Sequence, residues 1–377
     1  MKKVMRILSL ALMCMLSAGV MTSCSQEEEA SSGQSETSQV IRFNATTDNV
    51  AGTRGVPTTA ANYLTQVKDF KVWGTLGGKH YIGNTNMTDE SYHSDETKAG
   101  VIISNKGGGK WDYNTATDMV YWPNEAMNFY AITPSTNANY SYTSSNGNFC
   151  YTVPTDNSQQ IDLMHAYAAN QTKTTNKGVV NLQFQHALSQ VVFKAITKSS
   201  NLNVEIQSIK IHNVQSKLYV SLISDWSFLQ SYSPYANYSL GMGGTKTVAV
   251  TDASNAVNLT TADGALMLAP QTLSGWTDKT STTAADAAHQ CYIEIVCKIT
   301  SKTSSGTVYL LGSPTAYDST YFPLSGTWEA GKRYVYTLQF GGGKDADGND
   351  RFSPITFSVK VSDWAESSST LIPQLSA

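Results

Sequence analysis

Apolar and polar residues alternate along much of this chain. Val40-Ile41-Arg42-Phe43-Asn44-Ala45 places Ile41, Phe43 and Ala45 on one face of an extended segment. The same period of two recurs at 69–74, 119–123, 127–131, 180–184 and 190–195. Val204-Glu205-Ile206 runs into Ile209-Lys210-Ile211 with its apolar phase slipped, which predicts a β-bulge. Near the end, Tyr334, Tyr336, Leu338 and Phe340 form one alternating set and Ile355, Phe357, Val359 and Val361 another, with a turn-rich loop at 341–350 between them. Many short alternating strands separated by turn residues predict an all-β sandwich. Helical character is confined to 59–67 and 161–169, a turn or two each. A polar stretch, 170–177, precedes a fresh set of strands. The expected organisation is therefore an N-terminal β-sandwich over 40–180 and a C-terminal one with a short tail over 181–377.

The first residues depart from this pattern. Lys2, Lys3 and Arg6 precede an apolar run from Ile7 to Met21, and small residues lead to Cys24. A basic start, an apolar centre and small residues at the cut describe a secretory signal peptide over 1–23. The run is short for a transmembrane helix, which takes about 20 residues. Met21-Thr22-Ser23-Cys24 resembles a bacterial lipobox, with Met where Leu is usual. That resemblance implies a lipid on Cys24 and attachment of the mature chain to a membrane. Residues 24–39 read as a disordered acidic linker. Its Glu27-Glu28-Glu29 cluster resembles the signal that carries Bacteroidetes lipoproteins to the outer face of the outer membrane.

Composition narrows the function. Net charge is −3, so nothing electrostatic points to nucleic acid. Tyr numbers 20 and charged residues make up 15%, a mix suited to strands and turns. Cys150, Cys291 and Cys297 remain after Cys14 and Cys24 are set aside. Cys291 and Cys297 fall on one strand about 20 Å apart, too far to bridge, and read as buried thiols. The six histidines fit no zinc spacing. Gly107–Lys110 and Gly341–Lys344 lack the Ser or Thr and the helix of a phosphate loop and read as turns. Asp345, Asp347, Asn349 and Asp350 are the best metal candidates, but Gly348 stands at the fourth position where a calcium loop wants it sixth. A polar hairpin loop is the expectation, with no metal, no cofactor and no catalytic residues.

The strand sequences resemble the fimbrillin family of Bacteroidetes, whose members are pilus subunits made as lipoprotein precursors. The resemblance is carried by Ile41-Arg42-Phe43 with Thr53-Arg54, Val72-Trp73-Gly74, Tyr121-Trp122-Pro123 with Phe129-Tyr130-Ala131, and Asp162-Leu163-Met164-His165-Ala166. Leu182-Gln183-Phe184-Gln185-His186-Ala187-Leu188-Ser189 is its most specific piece. Leu266–Gln271, Trp328–Tyr334 and Asp363-Trp364 complete it. It implies two transthyretin-like, Greek-key β-sandwiches in tandem and a non-enzymatic fimbrial subunit. It also implies assembly by strand exchange: a protease cuts between Arg54 and Gly55, and the strand bearing Ile41, Phe43 and Ala45 is displaced. A strand from another fimbrial subunit then replaces it through β-augmentation. A shaft subunit would need a strong donor strand at its C-terminus, so the short tail, broken by Pro373, counts against that role and fits a tip, anchor or minor accessory subunit. Adhesive partners would be host or bacterial surface glycans or proteins. A surface glycan-binding lipoprotein is the competing expectation, resting on seven tryptophans that could stack on sugars.

Overall fold

The computed structural model describes residues 39–47, 67–77, 79–82, 100–143, 148–221, 230–261, 264–277, 281–344, 350–351, 355–363 and 370–373. All of them lie in one compact unit. The protein is all-β, and among the described residues one α-helix occurs, α1 (Thr282–Ala287). Ser281 caps it by accepting from the Ala284 amide.

Sheet one holds β1 (Arg42–Thr47), β2 (Asp69–Leu76), β3 (Lys79–Ile82), β4 (Val101–Asn105), β5 (Trp111–Tyr113), β6 (Met127–Thr133), β9 (Met164–Gln171) and β10 (Val179–His186). Its order is β1-β10-β9-β6-β2-β4-β5, with β3 on β2. Sheet two runs β15 (Val257–Asn258), β11 (Ser189–Thr197), β22 (Lys332–Phe340), β25 (Thr356–Asp363), β26 (Thr370–Pro373), with β16 (Leu266–Leu268) on β11. Sheet three runs β19 (Gly306–Leu311), β18 (Tyr292–Thr303), β12 (Leu202–Ser221), β8 (Asn148–Thr152), β7 (Tyr140–Thr143). β13 (Gln230–Ser239) and β14 (Lys246–Val248) join it on β12, and β20 (Asp318–Pro323) on β18. Two ribbons complete the set: β17 (Gln271–Leu273) with β21 (Gly326–Trp328), and β23 (Gly343–Lys344) with β24 (Asp350–Arg351).

Sheets two and three face each other across the larger core. Val191, Phe193, Tyr336 and Leu338 from one meet Val204, Ile209, Ile293 and Ile295 from the other. Phe322 on β20 and Phe357 on β25 approach to 5.6 Å between ring centres across the sandwich. Sheet one lines a second core of its own, made of the inward faces of β1, β2, β6, β9 and β10 with Ile82, Ile103, Trp111 and Tyr113 from β3, β4 and β5. Its outward residues Trp73, Tyr130 and Ile132 belong to the larger core.

Several local expectations meet the structure here. The slipped phase in 204–211 is a register shift between Ile206 and Ser208 against β18. The turn expected over 161–169 is instead β9. Ala168 lies opposite Phe129 and Ala166 opposite Ala131, all buried, so small side chains here serve packing and not helix. The segment 119–123, expected as a strand, makes one isolated bridge, Val40 to Tyr121. β7 and β8 lie before residue 180 in sequence, yet β8 pairs with β12 and β7 with β8, so sheet three draws strands from both sides of that position. Cys150, Cys291 and Cys297 are free and buried, and burial pushes the Cys297 thiol up to about 12. Residues 59–66 and 345–349 lie outside the described set.

Candidate functional site: the groove filled by the first strand

β1 ends sheet one and pairs in parallel with β10, from Arg42 opposite Val179 to Thr47 opposite Phe184. A parallel neighbour cannot be joined by a hairpin, and these partners stand 137 positions apart in sequence. The alternation read from sequence sets the facing. Phe43, Ala45 and Thr47 point inward and Arg42, Asn44 and Thr46 outward. Ile41, just ahead of the strand, is fully buried.

The groove that receives these side chains is aromatic. Phe43 makes edge contacts with Phe70 on β2 (6.4 Å between centres), Tyr113 on β5 (6.2 Å) and Phe129 on β6 (5.7 Å). Phe184 on β10 closes the floor against Phe70 at 5.4 Å. Burial of Ile41 and Phe43 contributes roughly 1.5–3 kcal/mol each.

The beginning of the strand is held on its other side too. The Ile41 amide donates to the Val120 carbonyl (2.8 Å), and the Trp122 amide donates to the Gln39 carbonyl (2.9 Å). The Tyr113 hydroxyl donates to the Ile41 carbonyl at 3.0 Å and accepts from the Val120 amide at 3.4 Å. Burial pushes the Tyr113 phenol well above its ordinary value, which keeps it a donor. The β9–β10 turn adds two contacts: Gln39 Nε2 to the Lys177 carbonyl (3.2 Å) and Trp122 Nε1 to the Gly178 carbonyl (3.1 Å). Gly178 takes φ +78°, and a Cβ there would lie 2.5 Å from Gln39 Nε2. Only glycine fits that position without displacing Gln39.

Ile41, Phe43 and Ala45 are thus gathered in one groove, as the sequence suggested. Cys24, Arg54 and Gly55 lie outside the described residues. Tyr113, Val120, Trp122, Gly178 and Gln39 were not anticipated as parts of the site. Tyr121-Trp122-Pro123 stood out as an alternating segment and as a piece of the family resemblance, but not as a part of the site.

The family profile described as fimbrillin-like matches residues 53–364. The chain belongs to the fimbrillin-like family. The match begins beyond β1 and takes in the remainder of the groove. A fimbrial protein from Bacteroides vulgatus shares the fold at 16% identity, with a TM-score of 0.53 over 86% of this chain and 99% of that one. The tip fimbrial protein Mfa3 from Porphyromonas gingivalis aligns at 12% identity and a TM-score of 0.33, over 82% of this chain and 97% of that one. No curated protein sequence matches.

The fimbrillin-like motifs converge in space. Ser189, Gln190 and Val191 pair with Leu268, Met267 and Leu266 on one side. On the other side, Gln190 and Val191 pair with Arg333 and Tyr334. Asp162 and His186 meet at 2.8 Å at the open end of the β9–β10 pair. The Ala187 amide donates to the Leu163 carbonyl beside them. These pieces therefore build the passage from sheet one to sheet two, while Ile41, Phe43, Phe129 and Phe184 from other parts of the motifs lie in the groove itself.

Proposed function

We propose that this fimbrillin-like chain is a non-enzymatic subunit of a cell-surface fimbria that contributes to adhesion and assembles with other fimbrial subunits by strand exchange. It is made as a lipoprotein precursor, with a signal peptide over 1–23 and a lipid on Cys24 that holds it at the outer membrane. Cleavage between Arg54 and Gly55 severs β1 from the rest of the fold. A strand of another subunit then takes the place of Ile41, Phe43 and Ala45.

One observation carries this reading. β1 supplies buried side chains to the core of sheet one, yet joins that sheet as an end strand in parallel with β10 and precedes the segment that holds Arg54. Its loss would leave both an aromatic trough and an unpaired edge, the two features that a donor strand satisfies. Limited digestion with an Arg-specific protease tests the proposal. Cleavage at Arg54 followed by growth of oligomers supports it. Cleavage that leaves only monomer carrying a retained β1, with its partner subunits present, contradicts it.

The glycan-binding alternative loses its main support. Trp73, Trp111, Trp122, Trp276 and Trp328 are all buried, so none of these five presents a face to a sugar. Trp226 and Trp364 lie outside the residues whose side chains are described.

A further inference from the structure

The two ends of β1 are not held alike. Around Ile41, backbone bonds run to both sides: β10 on one, the 120–122 segment on the other, with the Tyr113 hydroxyl added. Within a strand, successive residues direct their backbone groups to opposite sides. Ile41 faces Val120, so Phe43, Ala45 and Thr47 face that same side, away from β10. Along this half the described residues offer no second strand. The Ala45 amide is instead taken by Asn44 Oδ1 at 3.0 Å, while Asn44 Nδ2 reaches Asn181 Oδ1 at 3.3 Å. Thr47 Oγ1 donates back to Phe184, on the β10 side.

We infer that Tyr113 and residues 120–122 form a latch on the start of β1, so that the strand opens from its Thr47 end and parts last at Gln39–Ile41. This rests on the strand-exchange reading for its use but not for its geometry. Tyr113 acts here as a positioning residue: it bridges the Ile41 carbonyl and the Val120 amide and packs its ring on Phe43. The latch also sets the order in which an incoming strand docks. A strand that replaces β1 parallel to β10 lays down the residue replacing Ala45 before the one replacing Ile41, so its C-terminal end enters first. Cutting the chain beyond Thr47 leaves the latch whole. The severed strand would therefore stay seated until a competitor displaces it.

Hydrogen exchange of the intact mature chain, followed by mass spectrometry with fragmentation inside 39–47, tests the latch. The expected result is that the amides of Asn44 and Thr46, which face β10, exchange before those of Ile41 and Arg42. Tyr113→Phe keeps the ring and removes the hydroxyl. It is expected to speed exchange at Ile41 and Trp122 about fivefold, as loss of one hydrogen bond would, with little change at 44–47. Exchange of the whole strand at one rate, or earliest exchange at Ile41, in the unaltered chain overturns the latch whether or not the variant folds. A labelled 39–47 peptide, offered to the Arg54-cut chain, reports separately on exchange. If it never enters while the gradient stands, strand exchange fails and the latch survives.

Discussion

Phe43 touches rings on three strands, β2, β5 and β6. Truncating it leaves a void between Phe70, Tyr113 and Phe129 that these rings cannot fill without moving. Phe43→Ala is expected to cost about 3–5 kcal/mol in urea denaturation. Gly178→Ala is expected to cost about 1–2 kcal/mol from backbone strain at its positive φ, and to loosen Gln39 as well. Slower denaturation of either variant than of the parent chain would contradict the packing described. His165 makes a different prediction. Burial, with His186 nearby, pushes its imidazolium down to about 4. The unfolded chain takes up that proton near pH 6.5, so between about 6.5 and about 4 the unfolded state binds a proton that the native state excludes. Stability from this group is therefore whole above about pH 6.5 and falls as pH drops towards 4. The loss approaches about 3 kcal/mol. His165→Asn should flatten that part of the pH–stability profile, and an unchanged slope would exclude His165 as its source.

At the scale of elements, the period-two pattern located most strands because one face of each is buried and the other is not. β10 alternates exposed with buried residues over 181–186, and β22 alternates along 334–340. β9 escaped because its sequence, Met-His-Ala-Tyr-Ala-Ala-Asn-Gln, lacks β-branched residues, and Ala168 is small because it lies opposite the Phe129 ring on the next strand. The latch escaped for a related cause. Residues 119–123 alternate like a strand, but their use is to bond the start of β1, a contact that sequence spacing does not encode. The facing within β1 yields a prediction at this scale. The Asn44 amide points to β10, so Asn44→Pro removes a ladder donor. That leaves an unpaired acceptor costing about 1–3 kcal/mol. Asn44→Ala keeps the ladder and should cost about 1 kcal/mol. Equal losses in the two variants, measured by thermal denaturation, would show that β1 is not held through β10.

Across the whole molecule, the fimbrillin-like pieces at 182–191, 266–271 and 328–334 were legible because they build the crossing from sheet one to sheet two, where packing constrains several strands together. The participation of β7 and β8 in sheet three was not legible. Only the pairing of β8 with β12 draws them there, across 65 or more positions of chain. The groove has the same character: its aromatic lining comes from β2, β5, β6 and β10, and its closing strand from the start of the fold. On the strand-exchange reading proposed above, β1 is the exchangeable piece of the assembly. The most direct measurement is digestion of the full-length chain with an Arg-specific protease beside an Arg54→Ala control, followed by light scattering and peptide mass analysis of each species. The parent chain is expected to be cut at Arg54 and to form oligomers whose subunits have lost β1, while the control stays monomeric. Oligomers that retain β1, or equal oligomerisation of the control, would contradict that reading.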